Sequence, residues 1–343
     1  MTRKPAGEKV VDTGIVPPAA WVSYVGCVGS VLQARGVRAD RADVAGMSGY
    51  AFLVIVADRL CPSGPTGFDW MMLQPGTEAL GIETEIVTIE YGGSAPAGKV
   101  DRALAAELFE RVRQEVDEGR PCVLWGATDV PEFGIVYGYR DDGYLVRSYR
   151  SVAAAGGSGR GRALGPRDIP EEPVKLNALK APGCLAGVFF GDRFEPARDR
   201  AERDALARAV QLLRGRHTCF SADTAHGPAA FEEWAKRLGK GDVDPLGNAY
   251  TAACWQEMQG CAAEFCTRLV PRHRPVAASL ESAAAEFSSS AQKLGWLTEK
   301  FPFPQGGDLK DRTATGGAAE RLRACAVHND RAAAALEQAL AQM

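Results

Sequence analysis

The sequence predicts an α+β domain followed by an all-helical domain, with the boundary near residue 193. Between Trp21 and Asp192 strand-like and helix-like hydrophobic patterns alternate, whereas from Glu195 onward the pattern is helical almost throughout. Within the first part, an Asp-Gly turn joins two β-rich segments, which favours antiparallel pairing. We therefore expect residues 1–193 to form a domain with an antiparallel sheet, and residues 194–343 to form a helical bundle.

Beyond residue 100, the first domain is predicted to contain one helix and several strands. Asp101 is a suitable N-cap for a helix whose leucines and valines recur at helical spacing, and Gly119 ends it. The next segment, "PCVLWG", predicts a buried strand, "FGIVYGYRDDGYLVRSY" predicts a hairpin, and "CLAGVFFGD" predicts a further strand. Before that last strand, the Gly/Pro/Ala-rich residues 152–173 predict a long mobile loop.

The second domain is predicted to contain five helices, at about residues 196–215, 228–239, 247–270, 274–298 and 314–342. In the fourth, apolar residues fall on a single stripe from Val276 to Leu294. That spacing is typical of a helix packed into a bundle.

Composition restricts the class of protein. The 343 residues are 46% hydrophobic and 24% charged, with a formal net charge of −3. These values are typical of a globular protein, and no basic run indicates a nucleic-acid partner. The sequence starts without an apolar leader segment and contains no apolar run long enough to span a bilayer, so we expect a cytoplasmic protein without a membrane partner. The oligomeric state is not indicated.

Cysteine usage and the absence of familiar motifs argue against metals and cofactors. The nine cysteines include no Cys-x-x-Cys pair, which favours reduced thiols over disulfides or structural zinc. There is no Walker sequence, no His-Glu-x-x-His and no dinucleotide-binding glycine pattern after a strand. We therefore expect neither a cofactor nor a metal.

The stretch "SYVGCVGSVLQARG" places Cys27 where a loop meets a helix. A thiol at a helix N-terminus is favoured as thiolate, because the positive end of the helix dipole stabilises the negative charge. Gly26 allows close approach of a substrate or backbone, and Tyr24 lies two residues before it. Cys27 is therefore a candidate nucleophile, with Tyr24 and Gly26 as candidate binding residues; the alternative is an ordinary buried thiol.

The order of these elements resembles the papain-like fold of the double-glycine (bacteriocin-leader) peptidases. It is still more similar to the N-terminal domain of butirosin biosynthesis protein H, an acyltransferase relative of those peptidases. The resemblance covers about residues 20–192 and rests on the Cys27 helix ending at Gly36, on "ADVAGMSGYAFLV", on the helix over residues 101–118 and on "FGIVYGYRDDGYLV". It implies a cysteine opening the first long helix, a histidine opening a strand, an orienting acid or amide on the next strand, and an upstream glutamine.

Several of the residues that this resemblance requires are replaced. Glu132 stands where the histidine is expected, Ser148 near the place of the orienting acid and Trp21 near that of the glutamine. Residues 1–193 contain no histidine at all. A carboxylate cannot form the thiolate–imidazolium pair, and its charge raises a thiol pKa. Glu132 is a candidate general base or ligand-binding residue, or a structural carboxylate, and His226 is a candidate base supplied by the helical part.

A second motif, "LCPSGPTGFDW", predicts a tight turn. Its backbone amides and the Ser63 hydroxyl could bind an anion, beside Cys61 and Gly64, and Trp70 could form a pocket wall. The structural alternative is that these are turn and core residues.

Two functions follow from these residues. The first is a papain-like protein that has lost peptidase chemistry and binds a small molecule or peptide in the former active-site cleft, which makes it a pseudoenzyme. The alternative is a cysteine-dependent acyltransferase or amide-forming enzyme with an acyl-carrier protein as partner.

Overall fold

The computed structural model describes residues 7–11, 14–90, 102–128, 130–149, 173–175, 184–222 and 224–343. Within it the chain forms two compact units. The first consists of Met1–Asp40 and Leu80–Glu195, and the second of Arg41–Ala79 and Pro196–Met343. Residue 101 and residues 152–172, the predicted N-cap and most of the predicted mobile loop, lie outside the described residues.

The described strands, numbered in chain order, are β1 (Lys9–Val10), β2 (Ile55–Val56), β3 (Ile82–Glu90), β4 (Cys122–Trp125), β5 (Phe133–Arg140), β6 (Gly143–Arg147), β7 (Pro173–Lys175), β8 (Cys184–Arg193) and β9 (Ala225–His226). The described helices are α1 (Ser23–Ala34), α2 (Arg41–Ser48), α3 (Gln74–Glu78), α4 (Arg102–Asp117), α5 (Arg198–Leu213), α6 (Pro228–Lys240), α7 (Pro245–Leu269), α8 (Ala277–Lys300) and α9 (Arg312–Leu340).

The first unit is built on an antiparallel sheet with the strand order β3-β8-β4-β5-β6-β7. The short strand β1 also pairs with β5, at Gly138 and Tyr139, beyond the stretch that β4 covers. Helices α1 and α4 both pack on the strands β4 and β5. Strands β4, β5 and β6 are almost entirely buried on both faces. Their sequences are therefore mostly apolar and do not alternate between apolar and polar residues.

The predicted hairpin is formed by β5 and β6. Arg140 pairs with Gly143, so the turn residues are Asp141 and Asp142. Asp141 has a φ of 52°, a left-handed conformation that aspartate tolerates better than most residues. The turn therefore lies one residue earlier than the Asp142-Gly143 pair that the sequence indicated.

The second unit consists of a helical bundle and the small two-stranded sheet of β2 and β9. Helix α8 packs on both α7 and α9, and α9 also packs on α5 and α6. Its core contains the fully buried rings of Trp234, Trp255 and Phe287. Both indole N–H groups have acceptors within the unit: Trp234 donates to Asn248 Oδ1 at 2.8 Å, and Trp255 donates to Ile55 O at 2.9 Å.

The α+β class and the antiparallel sheet are confirmed. The helices α5 to α9 begin and end within about three residues of the predicted bounds, an accuracy that helix-end fraying allows. Among the described residues, no helix is both long enough and apolar enough to cross a membrane.

The chain is not divided into two consecutive segments. The sequence placed the boundary near residue 193, and the structure has a break between Glu195 and Pro196, but it also assigns Arg41–Ala79 to the helical unit. The reason is packing: the Phe52 ring lies 6.2 Å from that of Phe265 and 5.6 Å from that of Phe287. Gly46 faces the Phe265 ring so closely that a Cβ there would lie 2.2 Å from it. These long-range contacts leave no local signature in the sequence.

Candidate functional site

Helix α1 begins at Ser23, so Cys27 lies one turn inside the helix. The N-cap is Val22, whose side chain offers no cap and whose carbonyl accepts from the amides of Val25 and Gly26. The sequence had placed Cys27 at the helix N-terminus, and this position differs from that expectation. Because the dipole effect falls off within the first turn, the helix stabilises a thiolate at Cys27 only weakly.

Cys27 and Ser23 together hold the first residue of β5. The Cys27 thiol donates to the carbonyl oxygen of Phe133 at 3.4 Å, and the Phe133 amide donates to Ser23 Oγ at 3.0 Å. Residues four apart lie on one face of a helix, so both side chains point to the same strand residue. This arrangement satisfies both backbone groups of Phe133 and joins α1 to the sheet.

Aromatic rings pack around Phe133, the residue whose carbonyl oxygen accepts from the thiol. The Phe133 ring lies 5.3 Å from that of Tyr24 and 5.2 Å from that of Trp125, in edge-on and tilted contacts. Tyr24 is 1% exposed and is a core residue. Gly26 allows close packing, since a Cβ there would lie 3.0 Å from the Ala20 Cβ. Both predicted binding residues are thus buried in the interior of the first unit.

The surroundings of Cys27 favour the neutral thiol. Only 2% of the residue is exposed, and burial raises the pKa of the Cys27 thiol well above its ordinary value. The negative charge of Glu132 raises this pKa further. Desolvation and a like charge both disfavour the thiolate, which is the nucleophilic form of cysteine.

Glu132 precedes β5 and is half-buried. Its carbonyl oxygen accepts from the Gly126 amide and from Thr128 Oγ1, each at 3.4 Å, which closes the connection between β4 and β5. Thr128 also donates to the carbonyl of Val130. Local hydrogen bonds therefore fix the backbone at the position where the resemblance expects a histidine, and the charge of the Glu132 carboxylate raises the pKa of Cys27.

The two other replaced positions of the first unit differ in exposure. Trp21 is 39% exposed and lies two residues before Ser23. Ser148 follows β6 directly and is buried. Trp21 can contact a ligand on the surface of this unit, whereas Ser148 lies in its interior.

The "CPSGPT" turn belongs to the second unit and forms no nest of free amides. The amides of Cys61, Gly64 and Thr66 donate to the carbonyls of Asp58, Cys61 and Ser63. Because the turn uses these groups internally, they cannot bind an anion, and the interpretation as turn residues fits better.

The side chains of this turn are also engaged. The Ser63 hydroxyl donates to Cys61 Sγ at 3.2 Å, and Cys61 itself is exposed. Trp70 is buried and donates through Nε1 to Thr66 O at 3.0 Å, which makes it a core residue.

His226 lies in β9 of the second unit. It pairs with Ile55, and its ring stacks on that of Phe220 at a centroid distance of 3.7 Å. Partial burial lowers the pKa of His226, so its imidazole is neutral at neutral pH. Its Nδ1 atom is buried and has no hydrogen-bond partner among the described residues.

An open groove of about 790 Å³ lies in the second unit between the β2–β9 pair and α6. The charged side chains of its walls pair with one another: Arg237 pairs with Asp58 and Glu233, each at 2.8 Å, and Lys236 also pairs with Glu233. Sequence reasoning did not find this groove, because its walls come from segments about 170 residues apart.

Three groups of the second unit could hold a metal ion: Asp199, Glu202 and His273. Their ligand atoms all lie within 4.8 Å of one another. Both oxygens of Glu202 are already engaged, however, by Arg272 at 2.7 Å and by His273 at 2.6 Å. A cation would have to compete with Arg272 for the same carboxylate.

The most important residue that the sequence interpretation missed is Ser23. Its signal was present, since it lies four residues before Cys27 and so on the same helical face. Phe133, which both side chains contact, could not be identified because it lies 106 residues away from Cys27.

The sequence matches no protein-family model, and no curated protein is significantly similar to it.

Proposed function

We propose that this protein is a papain-like pseudoenzyme that binds a small molecule or peptide through the region of the first unit around Glu132 and Trp21. The observation that carries the proposal is the state of Cys27. A buried thiol that donates a hydrogen bond to a carbonyl oxygen, and whose pKa is raised by burial and by a carboxylate, is a poor nucleophile.

The absence of a histidine from the first unit supports the proposal. All four histidines of the sequence follow residue 195, and so belong to the second unit. A cysteine nucleophile requires a neighbouring base such as an imidazole, or a lowered pKa. In the described part of its unit Cys27 has no imidazole beside it, and the Glu132 carboxylate raises its pKa. The half-buried carboxylate of Glu132 and the exposed ring of Trp21 are the groups of this unit that we expect to contact a ligand.

The lack of chemistry is tested by intact-mass measurement after incubation with acetyl-coenzyme A and octanoyl-coenzyme A. We expect no adduct on the wild-type protein, as for Cys27→Ala. An adduct of one acyl group on the wild type that is missing from Cys27→Ala would contradict the proposal. That result would favour the alternative, an acyltransferase with an acyl-carrier protein as partner.

Binding is tested by a thermal-shift screen of a small-molecule and peptide library. We expect compounds that stabilise the wild type to lose their effect in Glu132→Gln, and to keep it in Asp142→Asn, which removes the same charge from an exposed turn. Compounds that stabilise all three proteins equally would place the binding site elsewhere.

A further inference from the structure

The second unit contains a cavity of about 380 Å³ where the start of α5 meets the turn between α7 and α8. Its wall contains three arginines, Arg200 and Arg203 from α5 and Arg272 from the turn, together with His273. Asp199 is the single carboxylate side chain among its described lining residues. The volume is within the range of small-molecule sites.

A buried carboxylate outside the cavity wall orients two of these groups. Glu202 is 3% exposed and does not line the cavity. One of its oxygens contacts an Arg272 nitrogen at 2.7 Å, and the other contacts His273 Nε2 at 2.6 Å. Glu202 thereby restricts the rotamers of both side chains, which lowers the entropy cost of binding a ligand to them. A guanidinium that shares one edge with a carboxylate keeps donors for a second anion.

The local charge favours an anion over a metal cation. In residues 198–204 and 272–274 there are five arginines and three acidic residues, which is a net charge of +2 with histidine neutral, in a protein whose net charge is −3. Arg203 has no ion-pair partner within the described ranges, whereas Arg200 pairs with Asp204 only at 3.7 Å and at the surface. Guanidinium groups match the planar and tetrahedral oxyanions of carboxylates and phosphates.

From this geometry we infer a second binding site: the cavity formed by Arg200, Arg203, Arg272 and His273 binds a small molecule through an oxyanion group, a phosphate or a carboxylate. The site is separate from the region proposed around Glu132, and neither proposal depends on the other.

The test is isothermal titration of the full chain at low ionic strength with inorganic phosphate and, separately, with citrate. We expect at least one of the two to bind, and Arg203→Gln to weaken that binding about tenfold, because a hydrogen-bonded ion pair is lost. The control is Arg331→Gln, which removes the same charge from an exposed position on α9 and should leave the affinity unchanged. Binding of phosphate alone assigns the oxyanion to a phosphate ester, and binding of citrate alone assigns it to a carboxylic acid.

Three results would overturn the inference. The first is that neither anion binds, and the second is that Arg203→Gln and Arg331→Gln weaken binding equally, which would indicate nonspecific attraction. The third is that Zn²⁺ binds instead and that His273→Ala abolishes this binding, which would assign the cluster to a metal ion. Since Arg203 is exposed and makes no ion pair within the described ranges, Arg203→Gln should fold normally, as circular dichroism can verify.

Discussion

The thiol of Cys27 donates a hydrogen bond to the carbonyl oxygen of Phe133 over 3.4 Å, and this contact defines how the first helix meets the sheet. One helical turn earlier, Ser23 accepts from the amide of the same residue. Cys27 is thus a structural hydrogen-bond donor between α1 and β5.

The first prediction concerns thiol reactivity. At neutral pH we expect iodoacetamide to label the exposed Cys61 much faster than Cys27, because Cys27 is buried and its raised pKa disfavours the reactive thiolate. Peptide mass spectrometry after timed labelling measures both rates. In Cys61→Ser, the fast phase assigned to this site should disappear. A Cys27 that reacts as fast as Cys61 would remove the basis of the pseudoenzyme proposal.

The second prediction concerns the stability of the contact between α1 and β5. Ser23→Ala leaves the Phe133 amide without its acceptor and should cost about 1–3 kcal/mol of unfolding free energy. Cys27→Ala should cost about 1–2 kcal/mol, and Cys27→Ser less, since a hydroxyl can still donate to Phe133 O. Urea denaturation measures these values. Because both side chains hold one residue, the double variant should deviate from additivity by about 0.5 kcal/mol or more; strict additivity would contradict the shared role.

The third prediction is a loss of stability at alkaline pH. Cys27 has a raised pKa in the folded state, so its contribution is complete below the ordinary thiol pKa of about 9 and is lost as the pH rises toward the folded pKa. In that range the unfolded thiol releases its proton while the folded one retains it, which lowers the unfolding free energy by about 1.4 kcal/mol per pH unit.

Other buried thiols act in the same direction, since burial raises the pKa of Cys325 to about 11 and that of Cys266 to about 12. The contribution of Cys27 is therefore isolated by comparing urea denaturation of the wild type and Cys27→Ser from pH 8 to 10.5. The variant should lose stability less steeply above pH 9. Parallel curves would show that Cys27 ionises normally in the folded protein.

The fourth prediction assigns part of the Cys27 pKa to Glu132. Glu132→Gln removes the negative charge that raises this pKa, so the pKa should fall, although burial keeps it above the ordinary value. The pH dependence of Cys27 alkylation between pH 8 and 11, in a Cys61→Ser background, measures the shift. The charge-matched control, Asp142→Asn in the exposed turn, should leave the pKa of Cys27 unchanged. An unchanged Cys27 pKa in Glu132→Gln would show that the Glu132 carboxylate does not raise it.

The fifth prediction concerns two glycines of α7. A Cβ on Gly247 would lie 1.9 Å from the Leu60 carbonyl oxygen, so Gly247→Ala should cost about 3 kcal/mol or more of unfolding free energy. In the same helix a Cβ on Gly260 would meet nothing within 4 Å, and Gly260→Ala should stabilise by about 0.5–1 kcal/mol through helix propensity. Urea denaturation of both variants checks the pair, and equal effects would contradict the close contact between Leu60 and α7.

The sequence by itself determined the elements whose causes are local. The repeat of apolar residues at helical spacing was sufficient to locate α5 to α9, and Gly36, with a φ of 77°, ends the helix of Cys27 as its sequence suggested. The exclusion of a thiolate–imidazolium pair within residues 1–193 also followed from the sequence, because it depends only on which residue types are present.

The tertiary structure alone decided the surroundings of Cys27 and the assignment of Arg41–Ala79 to the helical unit. Periodicity indicates that a residue is buried, but not what it meets: Phe133, 106 residues from Cys27, supplies the acceptor, and Phe265 supplies the ring against Gly46. The start of α1 at Ser23 likewise removed the helix-end activation expected for Cys27, since no side-chain cap marked that start in the sequence. Contacts between distant segments depend on packing in three dimensions, and local patterns do not encode them.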